Sequence, residues 1–588
     1  MGSTAETFVV FEAEKGSHTG DFPNRGSKAH RCRVVDFIVD YLVSADTKHI
    51  FGVGGANIED LYDAAFFNED ITAVLAKHEF SAATMADGYS RAGAGLGVVM
   101  ATSGGASLNL VPGLGESLTS RVPVLALVGQ PPTDMDGRGS FQDTSGRNGA
   151  LDAEALFATV SLLCERIVDP GDITSALPRA VAAARSGGPA VLLLPKDIQQ
   201  SVIDVDAGAV GVAGIDAAAE DPGVIAAALR RATGRVTIIA GEQVARDDAR
   251  AELERLRAAL GARVATVPDA KDVVTSDDPH AFLGVTGVMG HPSVPDAVAE
   301  SSVCVLVGTR LSATAAFGLP TALATTRTLS VGSLPPFVPS THVHSANLRA
   351  TLAQLTEAVS GHHAPTNSRQ TPLAADELIP PEYAGPGVRY RDAVAVLDDA
   401  LPDGVDVVVD AGNSGAAAIH QLPVRREGRF VVALGMGGMG YSFGAAIGIA
   451  FARGRRTVVI AGDGAFYMHG MEVHTAIEYG LPVTFVFFNN NAHAMCVNRE
   501  QLFYGDRYSY NRFRPSRLGA GLAAMFPGLS AFDVESPDEL TTAVRAALDV
   551  DGPSVVSIEC SADEIPPFAP FLTHLAPKEN RSDVAASA

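Results

Sequence analysis

Residues 457–466 read TVVIAGDGAF, and residues 483–493 read VTFVFFNNNAH. Each is an apolar run that stops at polar residues, the first at Gly462, Asp463 and Gly464, the second at Asn489 and Asn490. Unbroken apolar runs of this length are the pattern of strands buried on both faces of a parallel sheet. The 24 residues between the two motifs accommodate one helix, read here as Met471–Tyr479, joining adjacent parallel strands. Asp463 and Asn490 are therefore predicted side by side at the carboxyl edge of a sheet, where open α/β folds place their ligands. One carboxylate, one amide oxygen and a nearby backbone carbonyl make a hard, incomplete oxygen shell, which suits a magnesium ion shared with a diphosphate. GDG alone is ordinary turn chemistry; the second polar strand end at this spacing is what points to a site.

Outward from this pair, short apolar strands alternate with amphipathic helices, which predicts an α/β chain of three doubly wound parallel-sheet domains. Strands are read at His49–Val53, Gly97–Ala101, Val122–Val128 and Ala190–Leu194, then at Val236–Ala240 and Val303–Val307. A third block has them at Val405–Val409, Thr457–Ile460, Val483–Phe488 and Ser554–Ile558. The predicted division is a flexible leader (1–30), a first domain (31–205), a middle domain (206–360), a Pro-rich linker (361–387), a third domain (388–565) and a tail (566–588). No sequence repeat relates the first and third blocks.

A chain of 588 residues with 47% apolar and 19% charged side chains excludes a small binding module and a disordered protein. A net charge of −23 repels phosphate backbones, so nucleic acid is excluded as a partner. Anionic ligands must then be held by helix N-termini, glycine loops or a bound cation. Cys32, Cys164, Cys304, Cys496 and Cys560 are scattered, which predicts a reducing compartment and no cysteine zinc site. The polar leader lacks an apolar signal core. Val431–Ala452 is uncharged and long enough to span a bilayer, yet its six glycines read as a loop followed by a buried helix. A cytoplasmic protein with no membrane partner is predicted.

The GDG and NN pair resembles the signature of thiamine-diphosphate-dependent enzymes of the acetolactate synthase and 2-oxo-acid decarboxylase family. LAKHEFSAATMADGYSRA (75–92) is similar to that family's RHE…AA…MADGYAR pattern. FGVGGANIEDLYDA (51–64), ATSGGASLNLVPGL (101–114) and PVLALVGQPP (123–132) resemble its FGVPGG, TSGPGATNLVTGL and PVLALTGQ segments. The resemblance runs from about residue 30 to 560. It implies pyrimidine-binding, middle and diphosphate-binding domains, in that order, with thiamine diphosphate and Mg2+ as cofactors.

Residue by residue, the resemblance makes Glu79 the carboxylate bonded to the pyrimidine N1′. A proton shared there promotes the imino tautomer whose nitrogen deprotonates thiazolium C2. DAGNSG (410–415) and ALGMGGMGYSFGAAIG (433–448) imply that Gly412, Asn413 and Ser414 bind diphosphate together with Gly462, Asp463, Gly464, Ala465 and Asn490. Gly437 and Met439 would meet the aminopyrimidine, with the Met439 side chain wedged between the two rings. Asp463, Asn490 and the Ala492 carbonyl would hold the metal. GSFQD (139–143) puts Phe141 and the catalytic Gln142 in the substrate-lining segment, and Met495 matches a substrate-contacting Met. His493 follows the metal turn and is the candidate acid-base group among the histidines. Arg499 stands where the synthase carries the Trp that selects its second 2-oxo acid; this chain has no Trp. VGTRLSATAAFG (307–318) keeps Arg310 but lacks the acidic and arginine residues of the synthase-like VRFDDR, which leaves FAD open.

The implied function is a carboligase that decarboxylates a 2-oxo acid and adds the remaining fragment to a second carbonyl compound. Glu79 of one chain would face the Gly437–Met439 loop of another, in a homodimer or homotetramer. Alternatives are a 2-oxo-acid decarboxylase releasing an aldehyde, or a cofactor-binding scaffold that has lost catalysis. GRGSFQDTSGRN (137–148) lacks the adjacent histidines of pyruvate-decarboxylase-like sites, which favours ligation; His362 and His363 are adjacent but fall in the linker.

Overall fold

Most strands are runs of three to seven residues buried on both faces, and sheets built from them need helices on either side. The computed structural model describes residues 30–205, 220–274, 281–361 and 376–576. Most of the predicted linker, including His362 and His363, lies outside them. Among the described residues, three sheets have six parallel strands each. The first comprises β1 (His49–Val53), β2 (Thr72–Leu75), β3 (Gly97–Ala101), β4 (Val124–Gln130), β5 (Leu163–Arg166) and β6 (Pro189–Pro195), in the order β2-β1-β3-β4-β6-β5. The second comprises β7 (Val236–Ala240), β8 (Arg263–Thr266), β9 (Phe282–Val285), β10 (Val303–Val307), β11 (Arg327–Gly332) and β12 (Thr341–His344), in the order β9-β8-β7-β10-β11-β12. The third comprises β13 (Asp406–Val409), β14 (Phe430–Val432), β15 (Thr457–Gly462), β16 (Val483–Asn489), β17 (Ser530–Val534) and β18 (Ser554–Glu559), in the order β14-β13-β15-β16-β18-β17. The first and third sheets share one strand order, although no sequence repeat relates them.

The helices that bear on the site are α1 (Glu79–Arg91), α2 (Gly105–Thr119), α3 (Glu242–Arg246), α4 (Tyr390–Ala400), α5 (Asn413–Gln421), α6 (Tyr441–Arg453), α7 (Asp463–His469) and α8 (Ala494–Tyr504). The apolar stretch from Val431 resolves as the end of β14, a glycine loop and the buried helix α6, as its glycines predict. Among the described residues no helix is long and apolar enough to cross a membrane. The predicted Met471–Tyr479 helix is different. The helical turn begins at Asp463 itself, tightens at Gly470–Glu472 and resumes over Val473–Glu478. An aspartate in the first turn complements the helix dipole, so GDG opens a helix here and does not merely end a strand.

One apolar core runs through both the first and third domains, from Phe51 and Val99 to Phe443 and Phe485. Its centre is the crossing of α1 and α6, which the small side chains of both helices permit. A Cβ at Gly444 would overlap Thr84, and the Tyr441 hydroxyl donates to Asp87 at 2.5 Å. The middle domain has its own core and grips the third through Lys271. That ammonium donates to the carbonyls of Ala418 (3.2 Å), Ile419 (2.6 Å) and Leu422, at the C-terminal end of α5. These bonds fix α5, whose other end faces the site, while burial pulls the Lys271 pKa down to about 7.

Candidate cofactor and active site

β15 and β16 are neighbours in register from Thr457 opposite Val483 to Gly462 opposite Phe488, so Asp463 and Asn490 leave the sheet at one edge. Asp463 is fully buried; its Oδ2 accepts the Ala492 N–H at 3.2 Å, while Oδ1 has no partner. Burial pushes its carboxyl up to about 7. Asn490 donates through Nδ2 to the Tyr390 hydroxyl at 3.3 Å and likewise leaves a buried Oδ1 without a partner. Two orphaned hard oxygens at one sheet edge, one of them on a carboxylate that burial destabilises, fit a divalent cation such as Mg2+.

Beside them α5 begins at Asn413. Its cap, Gly412, has φ +110°, a conformation that side chains strain to adopt, and a Cβ there would meet nothing within 4 Å. Open space before a helix N-terminus is a seat for an anion, which fits a diphosphate. The Asn413 side chain is otherwise engaged: its Nδ2 donates to Asn498 Oδ1 at 2.8 Å and to the Glu564 carbonyl at 3.4 Å. Asn413 accordingly offers an anion its backbone N–H, and Ser414 its backbone N–H and its hydroxyl.

The glycine loop follows. Asp410 accepts the N–H groups of Gly440 and Ser442, both at 3.0 Å, and so ties the start of α6 to the end of β13. Sequence reading quoted Asp410 without a role; a carboxylate at a buried strand end was the available signal. Met439 reaches across to the GDG turn, where a Cβ on Gly464 would lie 3.2 Å from its methyl carbon and 2.5 Å from His493 Nδ1. His493 is half-buried, its ring edge-on to Phe513 at 4.8 Å, and burial lowers its pKa. Met439, Gly464 and His493 thus meet at one point beside Asp463.

Glu79 opens α1 on the first domain. It is buried and accepts a hydrogen bond from Asn109 Nδ2 at 2.9 Å, a partner on α2 that sequence reading missed. The next side chain, Phe80, approaches the glycine loop: a Cβ on Gly438 would lie 3.4 Å from its ring, and the ring packs on His469 at 4.3 Å. Gln142 (φ 62°) sits against Gly104 and the Ser103 hydroxyl at the start of α2. Phe141, by contrast, is 80% exposed. Met495 packs partly buried on the core of the third domain. Arg499 lies on the exposed side of α8, whereas its neighbour Glu500 turns inward to accept from Asn511 at 2.7 Å.

For FAD the residues do not fit. In the middle domain the crevice between β7 and β10 opens on Gly241-Glu242-Gln243. The Glu242 carboxylate takes its own backbone N–H at the start of the five-residue α3, where a dinucleotide would place its diphosphate, and burial, with Asp269 beside it, pushes that carboxyl up to about 7. Both line a cavity of about 410 Å3 at the junction of the three domains. The Gln243 N–H goes to the Gly308 carbonyl, and Arg310 is stacked over Phe337 at 3.9 Å.

The thiamine pyrophosphate enzyme N-terminal binding domain matches residues 32–150, the central domain 224–359 and the C-terminal binding domain 410–558. The chain is 28% identical to a probable acetolactate synthase large subunit of Methanocaldococcus jannaschii, over 91% of this chain and 93% of that one. It is 26% identical to the acetolactate synthase isozyme 2 large subunit of Escherichia coli (91% and 96% covered) and 25% to the acetolactate synthase large subunit of Pyropia yezoensis (90% and 91%). With three consecutive domain models matched in order along the chain, it belongs to the thiamine pyrophosphate enzymes.

Proposed function

We propose that the chain is a thiamine-diphosphate-dependent carboligase, which decarboxylates a 2-oxo acid and joins the remaining fragment to a second carbonyl compound. The observation that carries it is the pairing of Asp463 and Asn490, with two unclaimed buried oxygens, in a chain that keeps Glu79. Relatives named acetolactate synthases support ligation over simple decarboxylation.

Bound thiamine diphosphate supplies the C2 nucleophile and the electron sink for decarboxylation. Asp463, Asn490 and the Ala492 carbonyl would hold Mg2+, and the N–H groups of Asn413 and Ser414 would hold the diphosphate. Gly462, Gly464 and Ala465 let that group approach the turn closely. Met439 and Gly437 orient the aminopyrimidine, and Glu79, steadied by Asn109, holds a proton at N1′. His493 and Gln142 serve proton transfer and positioning at the reacting carbonyl; Phe141, Met495 and Arg499 contact the substrates.

Sites are completed by a second copy, in a homodimer or a dimer of dimers, with Glu79 of one copy serving the glycine loop of the other. Around that loop and α7, Met436, Tyr467, Met468 and Met471 are exposed by 43–63%, an apolar face that an isolated chain would leave wet. The location proposed is the cytoplasm, supported by the scattered thiols.

The test is CO2 release from a panel of 2-oxo acids by the purified protein, with and without thiamine diphosphate and Mg2+. Release that requires both supports the reading. Tight cofactor binding with no turnover of any 2-oxo acid would instead support a lapsed scaffold.

A further inference from the structure

An asparagine amide has an oxygen end and a nitrogen end of nearly equal size, and only the oxygen can ligate a cation. Something must therefore decide which end of Asn490 faces the metal position. Tyr390, the first residue of α4, is 1% exposed and lies 100 residues away in the chain. Its hydroxyl donates its single proton to the Ser561 carbonyl at 3.2 Å. Toward Asn490 it can then present only a lone pair, and the amide must answer with N–H, as Nδ2 does at 3.3 Å. Oδ1 is left at the sheet edge, buried and without a partner. Tyr390 is itself held from two sides: its N–H donates to the Glu564 carboxylate at 3.1 Å, and its ring stacks on Phe488 at 5.8 Å.

We infer that Tyr390 is a positioning residue for the metal, whose hydroxyl keeps Asn490 turned with Oδ1 toward the cation. The inference rests on the Mg2+ reading of Asp463 and Asn490 proposed above. Tyr390 touches neither cofactor nor substrate in this role; it acts through Asn490, as outer-shell groups act on metal ligands. Removing the oxygen leaves both amide orientations open, and the cation then meets NH2 in part of the population.

Tyr390→Phe removes only that oxygen and keeps the ring on Phe488. Mg2+ would be titrated calorimetrically into protein saturated with thiamine diphosphate, with circular dichroism reporting the fold. A rise of about tenfold in Kd is expected. Asn490→Asp supplies the control, because a carboxylate has no wrong end: in that background Tyr390→Phe should change Kd by no more than about twofold, as an orientational role requires. If Tyr390→Phe does not fold, p-aminophenylalanine at position 390 replaces the acceptor with a donor of similar shape; it should turn the amide over and weaken Mg2+ binding at least as much. Unchanged Kd in the folded variant, or the same loss in both backgrounds, would overturn the assignment. A wild-type protein that binds thiamine diphosphate with no dependence on Mg2+ would overturn the metal site, and the role of Tyr390 with it.

Discussion

The Asp463 carboxylate takes the Ala492 N–H on one oxygen at 3.2 Å and holds the other buried without a partner, so the second residue after the NN motif orients the residue inside GDG. With its pKa near 7, Asp463 keeps a proton in the metal-free folded chain that the unfolded chain, at an ordinary carboxylate value near 4, gives up. This contribution to metal-free stability falls as pH rises from about 4 to 7. Metal uptake must displace the same proton. The Mg2+ Kd should weaken by about tenfold for each pH unit below 7 and be flat above it. Calorimetry returning one Kd at pH 6 and pH 8 would show that metal uptake displaces no proton from Asp463 and would contradict its raised pKa.

Replacing either ligand, as Asp463→Ala or Asn490→Ala, should weaken Mg2+ and thiamine diphosphate together, since the ion anchors the diphosphate. Excess of both should restore part of the activity. Unaltered cofactor affinity in the two variants would count against the site.

Glu79→Gln cannot share a proton at N1′ and should lose about two to four orders of magnitude in turnover while keeping fold and cofactor binding. Asn109→Ala should give a smaller loss, because it frees the carboxylate without removing it. Wild-type rates in Glu79→Gln would end the assignment. Mixed with Asp463→Ala protein, Glu79→Gln should regain activity through hybrid dimers. No recovery would place each site within one chain, where Phe80 already approaches Gly438.

Gly464→Ala puts a methyl 2.5 Å from His493 Nδ1 and 3.2 Å from the Met439 methyl carbon. Displacing both should cost about 1–3 kcal/mol in stability and most of the cofactor affinity. His493→Ala in the same chain should recover stability, measured by thermal denaturation; an additive loss would show that the crowding lies elsewhere.

Arg499 brings a fixed charge and a planar fork, which suits a carboxylate or phosphate remote from the reacting carbonyl. Arg499→Ala should lose about 1.5–3 kcal/mol with an anionic partner substrate and little with a neutral aldehyde. Equal kinetics for all substrates in Arg499→Ala and Arg499→Trp would put the side chain outside the site.

What the sequence made legible is what local pattern encodes. Runs such as VTFVFF fix strands because burial on both faces leaves little choice of residue, and two polar strand ends at one spacing fix a shared edge. Partners that come from afar carry no such mark: Asn109 meets Glu79 across 30 residues, and Tyr390 meets Asn490 across 100. The start of α7 at Asp463 was hidden because a glycine on either side of an aspartate reads as a turn until the helix after it is seen. The substrate side stayed obscure for a different reason. Phe141 and Arg499 are exposed in the isolated chain, and what they face depends on what covers them.

Carbon–carbon bond formation is the central claim, and its most direct test is product analysis by mass spectrometry. The protein, loaded with thiamine diphosphate and Mg2+, would be given a 13C-labelled 2-oxo acid alone and then with an unlabelled 2-oxo acid or aldehyde. The account predicts a coupled hydroxy-ketone or hydroxy-oxo-acid containing the labelled fragment less its carboxyl carbon. Labelled aldehyde as the sole product with every acceptor would contradict it.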